Sequence, residues 1–115
     1  MDLGLSADQE QLVDAFTRMC DRAIGPDRVR AAEAAGIDPD GWAALVDLGA
    51  PGMGAPEAAG GGGGSLVDLA LAAEVLGRAL APVPFVDHAV AVRVLSDHLP
   101  PEAPTLAALV AGDRI

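Results

Sequence analysis

The sequence predicts an all-α fold of about six helices. Three observations carry that expectation. Apolar residues recur at steps of three and four along most of the chain, several segments open on a capping residue, and no run alternates apolar with polar residues as a half-buried strand would. The 115 residues suit a single domain with a modest core, and hydrophobic residues make up 51% of them, which excludes a disordered chain. No internal repeat is visible.

The first helix has the clearest start. Ser6 is a good N-cap and Gln9 completes a capping-box pattern. Asp8 and Glu10 lie in the first turn, where the helix dipole favours negative charge. Leu12, Val13, Phe16, Met19, Cys20, Ala23 and Ile24 then form one apolar face, and Gly25-Pro26 stops it. A second helix is expected from Pro26 to Ala35, with Gly36 just past its end. A third opens at Asp38-Pro39, turns Trp42, Leu45, Val46 and Leu48 inward, and ends at Gly49.

Residues 49–64 change character. Prolines, glycines and the run Gly60 to Gly64 cannot sustain a helix, so this segment reads as a flexible, solvated linker loop. Ser65 caps the next helix, with Asp68 at N3. From Leu66 to Leu80 its only charged residues are Asp68, Glu74 and Arg78. A helix so apolar is expected to be buried on most sides, yet the chain offers few elements to cover it. Ala81-Pro82-Val83-Pro84 breaks this helix. A fifth follows, with Phe85, Val86, Ala89, Val90, Val94 and Leu95 as its apolar residues, and Pro100-Pro101 ends it. A sixth runs from Thr105 to Ala111 and stops at Gly112.

Charge excludes several functions. Seventeen acidic residues against seven arginines and no lysine give a net charge of −10. Phosphate backbones and anionic membrane surfaces would be repelled, so nucleic-acid binding is set aside. No stretch approaches the roughly 18–20 apolar residues of a membrane span. No basic leader precedes the first helix, and the single Cys20 cannot form an internal disulfide; together these point to the cytoplasm.

Residue chemistry alone yields no active site. Cys20 lies on an apolar stripe with no His or Lys nearby, as a small core residue would. His88 and His98 are ten apart, about 80° around one helix, and lack companions for a metal site; exposed or helix-terminal histidines are expected. Gly64-Ser65 lacks the lysine and preceding strand of a phosphate loop, although the helix start offers free N–H groups to an anion. Glu74 and Arg78 have the i,i+4 spacing of a structural ion pair.

The order of segments is more informative. Leu5 to Leu12 opens the first helix and Ile24-Gly25-Pro26 closes it; Trp42 to Met53 leads into Pro56-Glu57, a Gly-Gly loop and Leu66 to Pro82. The set Trp-x-x-Leu, Leu-Gly, Pro-Glu, Gly-Gly and Glu-x-Leu-Gly resembles the N-terminal helical domain of the acyl-CoA dehydrogenase family. The likeness spans nearly the whole chain, residues 1–115 forming one helical domain with a Gly-rich loop at 49–64. It implies an acyl-CoA dehydrogenase N-terminal-domain-like helical bundle, followed in the family by a β domain and a C-terminal helical bundle. It also implies FAD in the complete enzyme, an acyl-CoA substrate oxidised between Cα and Cβ, and an oligomer.

The resemblance assigns no catalytic, cofactor-binding or metal-binding residue here, because the family's base and main flavin contacts lie in the other two domains. No FAD is expected on the isolated chain. The resemblance places an acyl-cavity wall at Pro84, Phe85, Asp87, His88 and Ala91. Ala58 and Ala59 depart from the family's usual acidic and aromatic residues after Pro-Glu. Three readings stay open: a piece of a flavoenzyme completed by the missing β and C-terminal domains, a non-catalytic helical subunit that binds a partner chain, or a soluble helical domain with no ligand.

Overall fold

The computed structural model describes residues 2–115. Six helices follow in order: α1 (Ala7–Ala23), α2 (Pro26–Ala32), α3 (Pro39–Asp47), α4 (Leu66–Arg78), α5 (Phe85–His98) and α6 (Pro104–Ala111). Two short 3₁₀ turns, Ala50–Gly52 and Glu57–Ala59, lie between α3 and α4. No strand occurs among the described residues. The body measures 41 × 39 × 19 Å, a plate two helix layers thick.

The helix starts follow from local hydrogen bonding. Ser6 accepts from the Gln9 N–H, and the Gln9 side chain returns a bond to the Ser6 N–H. Ser65 and Asp68 repeat this box at α4. The Ser65 N–H holds the Asp68 carboxyl below its usual range, against an upward pull from burial. That carboxylate already occupies the position an anion would need at this helix start. Gln9 also donates to Asp68, linking the starts of α1 and α4.

The main core lies where α1 packs on α4, the most extensive helix pairing in the molecule. Phe16, Met19 and Cys20 meet Leu69, Ala72, Val75 and Leu76, with Phe85 edge-on to Phe16 at 6.3 Å. Burial pushes the Cys20 thiol up, and the nearby Asp21 charge adds to this, so it stays a neutral core group. A smaller cluster of Ala55, Val92 and Leu109 holds α5, α6 and the loop together.

Several expectations need correction. Helix α2 stops at Ala32, not Ala35, because the Ala32 carbonyl accepts from Ala35 and Gly36 in a tight turn. The turn lets the Arg28 guanidinium reach Asp38 with both arms, at 2.7 and 3.0 Å. Asp38 also caps α3 by accepting from the Asp40 N–H. It is buried, and the Arg28 bonds hold its carboxyl below the usual range although burial opposes them. Leu48 points outward rather than into the core. Helix α5 is turned so that Phe85, His88, Ala89 and Val92 face in, which leaves Val86, Val90 and Val94 exposed along its outer side.

His88 is not exposed. It is 3% accessible, its ring stands edge-on to Trp42 at 5.0 Å, and its Nε2 lies 2.9 Å from the Leu109 carbonyl. Its Nδ1 is buried without a hydrogen bond. Burial pushes its pKa below the ordinary imidazole value, opposed in part by the Leu109 and Pro51 carbonyls. Trp42 donates from Nε1 to the Gly112 carbonyl, so α3, α5 and α6 meet in one polar junction.

The glycine tract is not a loose linker. Gly61, Gly62, Gly63 and Gly64 donate to the Pro56, Gly52, Ala55 and Met53 carbonyls respectively, folding 60–64 back onto 52–56. A Cβ at Gly61 would lie 2.3 Å from the Ala55 carbonyl oxygen, which explains why a side chain is excluded there. Gly61 is needed for space, whereas Gly60 and Gly63 adopt the positive φ that favours glycine.

Three stability outcomes follow. Gly61→Ala is expected to lower the unfolding free energy by about 1–3 kcal/mol in urea titrations, through overpacking. Gly77→Ala, where the added Cβ meets nothing within 4 Å, is expected to raise it by up to about 1 kcal/mol. For His88, stability is full above about pH 6.5 and declines as pH falls below it, by at most about 1.4 kcal/mol per pH unit, because the unfolded chain takes a proton the folded core resists. Urea midpoints of the chain and of His88→Gln between about pH 5 and 7 check this, the variant being flatter over that window.

Candidate apolar binding site

The candidate site is the corner between α4 and α5. Helix α4 ends in a Schellman motif, with the Ala81 N–H donating to Leu76 and the Leu80 N–H to Gly77. Pro82 and Pro84 prevent the helix from continuing, and Phe85 begins α5 buried against α1. The corner encloses a cleft of ≈ 430 Å³. Leu76, Gly77 and Leu80 line one side; Pro84, Phe85 and Val86 line the other.

Of the five residues the sequence proposed for a cavity wall, the structure brings Pro84, Phe85 and Asp87 to this cleft. His88 is buried against Trp42 and the Leu109 carbonyl, outside this lining, and half-buried Ala91 lies one turn further along, also outside it. Asp87 is the one charged side chain of the lining and is exposed. Gly77, Leu80 and Val86 also line it and are not among those five. The Leu76-Gly77 pair marks a helix end, but nothing local says which way Leu80 or Val86 would face.

A second cleft of ≈ 420 Å³ lies beyond the α4 terminus, lined by Cys20, Ile24, Val29, Arg30, Arg78 and Leu80. Arg78 pairs with Glu74, the expected i,i+4 contact, and Arg30 with Asp27. Between α4 and α5 runs a narrower apolar groove of ≈ 150 Å³, in which Leu69, Ala73, Val86 and Val90 face one another and Arg93 is the one charge. These surfaces suit hydrocarbon. They bring together no nucleophile with a base, and among the described residues no three His, Cys, Asp or Glu side chains gather as a metal set.

The glycine tract offers no free N–H groups to a dinucleotide, and the start of α4 is taken by its own cap. The N–H groups of Gly60 to Gly64 are engaged with carbonyls of residues 52–57, and Ser65 and Asp68 fill the start of α4. No helix among the described residues is long and apolar enough to cross a membrane.

Comparison with known proteins agrees with the helical fold. The family model described as acyl-CoA dehydrogenase, N-terminal domain, matches residues 6–102. A Mycobacterium tuberculosis protein named acyl-CoA dehydrogenase IpdE2 is 34% identical over 111 residues, covering 94% of this chain and 35% of that protein. A Mycolicibacterium smegmatis protein of the same name is 37% identical over 83 residues, covering 70% of this chain and 27% of that one. In the crystal structure of the ChsE4-ChsE5 complex from Mycobacterium tuberculosis, one chain superposes with a TM-score of 0.87 at 26% identity, over 100% of this chain and 33% of that chain. The chain thus spans about a third of the length of the curated relatives it matches. With its helix order, its apolar corner and these matches in agreement, the chain belongs to the acyl-CoA dehydrogenase family, as an N-terminal domain.

Proposed function

We propose that this chain is the N-terminal part of an oxidoreductase that removes hydrogens from Cα and Cβ of an acyl-CoA thioester, and that its task there is to wall the acyl group. The observation that carries the reading is the apolar cleft at the α4–α5 corner, in a chain of this family. Acyl-CoA dehydrogenases are FAD-dependent. In this reading the flavin and the proton-abstracting base belong to other parts of the enzyme, and no chemical step is assigned here. Pro84, Phe85 and Val86 would hold hydrocarbon and exclude water. Asp87, at the start of α5, would stay in the wetter part of the cleft. The reading takes the protein to be cytoplasmic, where the buried Cys20 remains reduced.

A second reading, a helical subunit that binds a partner chain without doing chemistry, is favoured by the exposed valines of α5 and by the two-chain composition of the structural neighbour. Purification from the native source separates them. The enzyme reading expects flavin absorbance in the material that contains this chain, bleached by added acyl-CoA. Colourless material that acyl-CoA leaves unchanged would favour the subunit. In the flavin-bearing enzyme, Val86→Glu is expected to lower kcat/KM for acyl-CoA at least about tenfold, because a carboxylate would replace apolar contact in the cleft. Circular dichroism of the chain should be unchanged, since Val86 is 58% exposed.

A further inference from the structure

Among the described residues, five glycines and one leucine adopt positive φ. Gly36, Gly49, Gly60, Gly63 and Gly112 lie between +66° and +83°; the leucine is Leu80, at 53°. Helix ends of this type favour glycine, because a Cβ in the left-handed region crowds the backbone. Helices α3 and α6 are each followed by glycine in that conformation, at Gly49 and Gly112. Only α4 ends with a large side chain there. That side chain is 71% exposed, so its burial within this chain does not offset the strain. Leu80 is also the single residue common to the linings of the two larger clefts, ≈ 430 and ≈ 420 Å³, on either side of the α4 terminus.

We propose that Leu80 is a partition that limits how far an acyl group extends through this face, and so a determinant of acyl chain length. The inference rests on the acyl-CoA reading above. With Leu80 in place, hydrocarbon entering between Gly77 and Val86 meets an apolar stop. With it removed, the first cleft would run on into the second, whose lining adds the apolar Cys20, Ile24 and Val29 beside the charged Asp21, Arg30 and Arg78. The left-handed backbone is what holds the side chain between the two spaces, and a leucine in the ordinary helical conformation would point elsewhere.

The test uses the assembled flavoenzyme with Leu80→Gly and Leu80→Ala, and measures kcat/KM over a ladder of straight-chain acyl-CoAs. The expected result is a shift of the preferred length to longer chains, with the long-to-short ratio of kcat/KM rising about tenfold or more. Leu80→Gly relieves the positive φ, so its thermal midpoint should equal or exceed that of the unmodified enzyme, which excludes misfolding as the cause. Unchanged chain-length profiles in both variants would overturn the partition and leave the acyl-CoA reading standing. Unchanged profiles with a weakened assembly in sedimentation would overturn it in favour of a protein-docking contact. Failure of the unmodified enzyme to oxidise any acyl-CoA would overturn the function and the partition together.

Discussion

A plate 19 Å thick has room for two helix layers and no more. Every helix in it therefore has a neighbour on one side and a free face on the other. This constraint shapes the whole molecule. The contact of α1 with α4 buries Phe16, Met19, Leu69, Ala72 and Leu76, and it is the one place where two apolar faces meet along much of their length. Helices α4 and α5 touch more lightly, and the space between them is an apolar groove rather than a packed seam. The exposed Val86, Val90 and Val94 follow directly, since α5 buries its other side on α6 and the loop.

Polar contacts then determine how the layers register. Arg28 with Asp38, Trp42 with Gly112 and His88 with Leu109 each join segments that apolar burial alone would leave free to slide. All three involve a buried or half-buried group whose alternative is an unsatisfied donor or charge, so each resists displacement more than a surface pair would. The folded-back glycines serve the same end. By pairing with residues 52–56 they turn a stretch that lacks regular structure into a firm edge beside α5 and α6.

These features suit a domain that supplies shape rather than reactive groups. Apart from Asp87, the α4–α5 corner is lined by hydrocarbon and backbone, and the groups with perturbed pKa values, Cys20, Arg28, Asp38, Asp68 and His88, all lie in cores, caps or ion pairs instead. The chain belongs to the acyl-CoA dehydrogenase family and spans about a third of its curated relatives' length. Leu80, Val86, Val90 and Val94 stay exposed on its surface.

The sequence by itself determined the helices and most of their ends. The Ser6–Gln9 and Ser65–Asp68 boxes, the Asp38-Pro39 start and the Gly112 stop were all legible, because a cap is a hydrogen bond or a backbone conformation settled within about four residues. The Glu74–Arg78 pair was legible for the same reason. Tertiary structure alone decided which side of α5 is covered, that His88 is a core residue beside Trp42, and that five glycines pack as a brace. Each depends on a partner distant in sequence: Leu109 for His88, Ala55 and Met53 for the glycines, Phe16 for Phe85. Leu80 lies between these cases. Its helix end was readable from the prolines that follow, but its left-handed backbone and its place between two clefts arise only once α1, α2, α4 and α5 have come together.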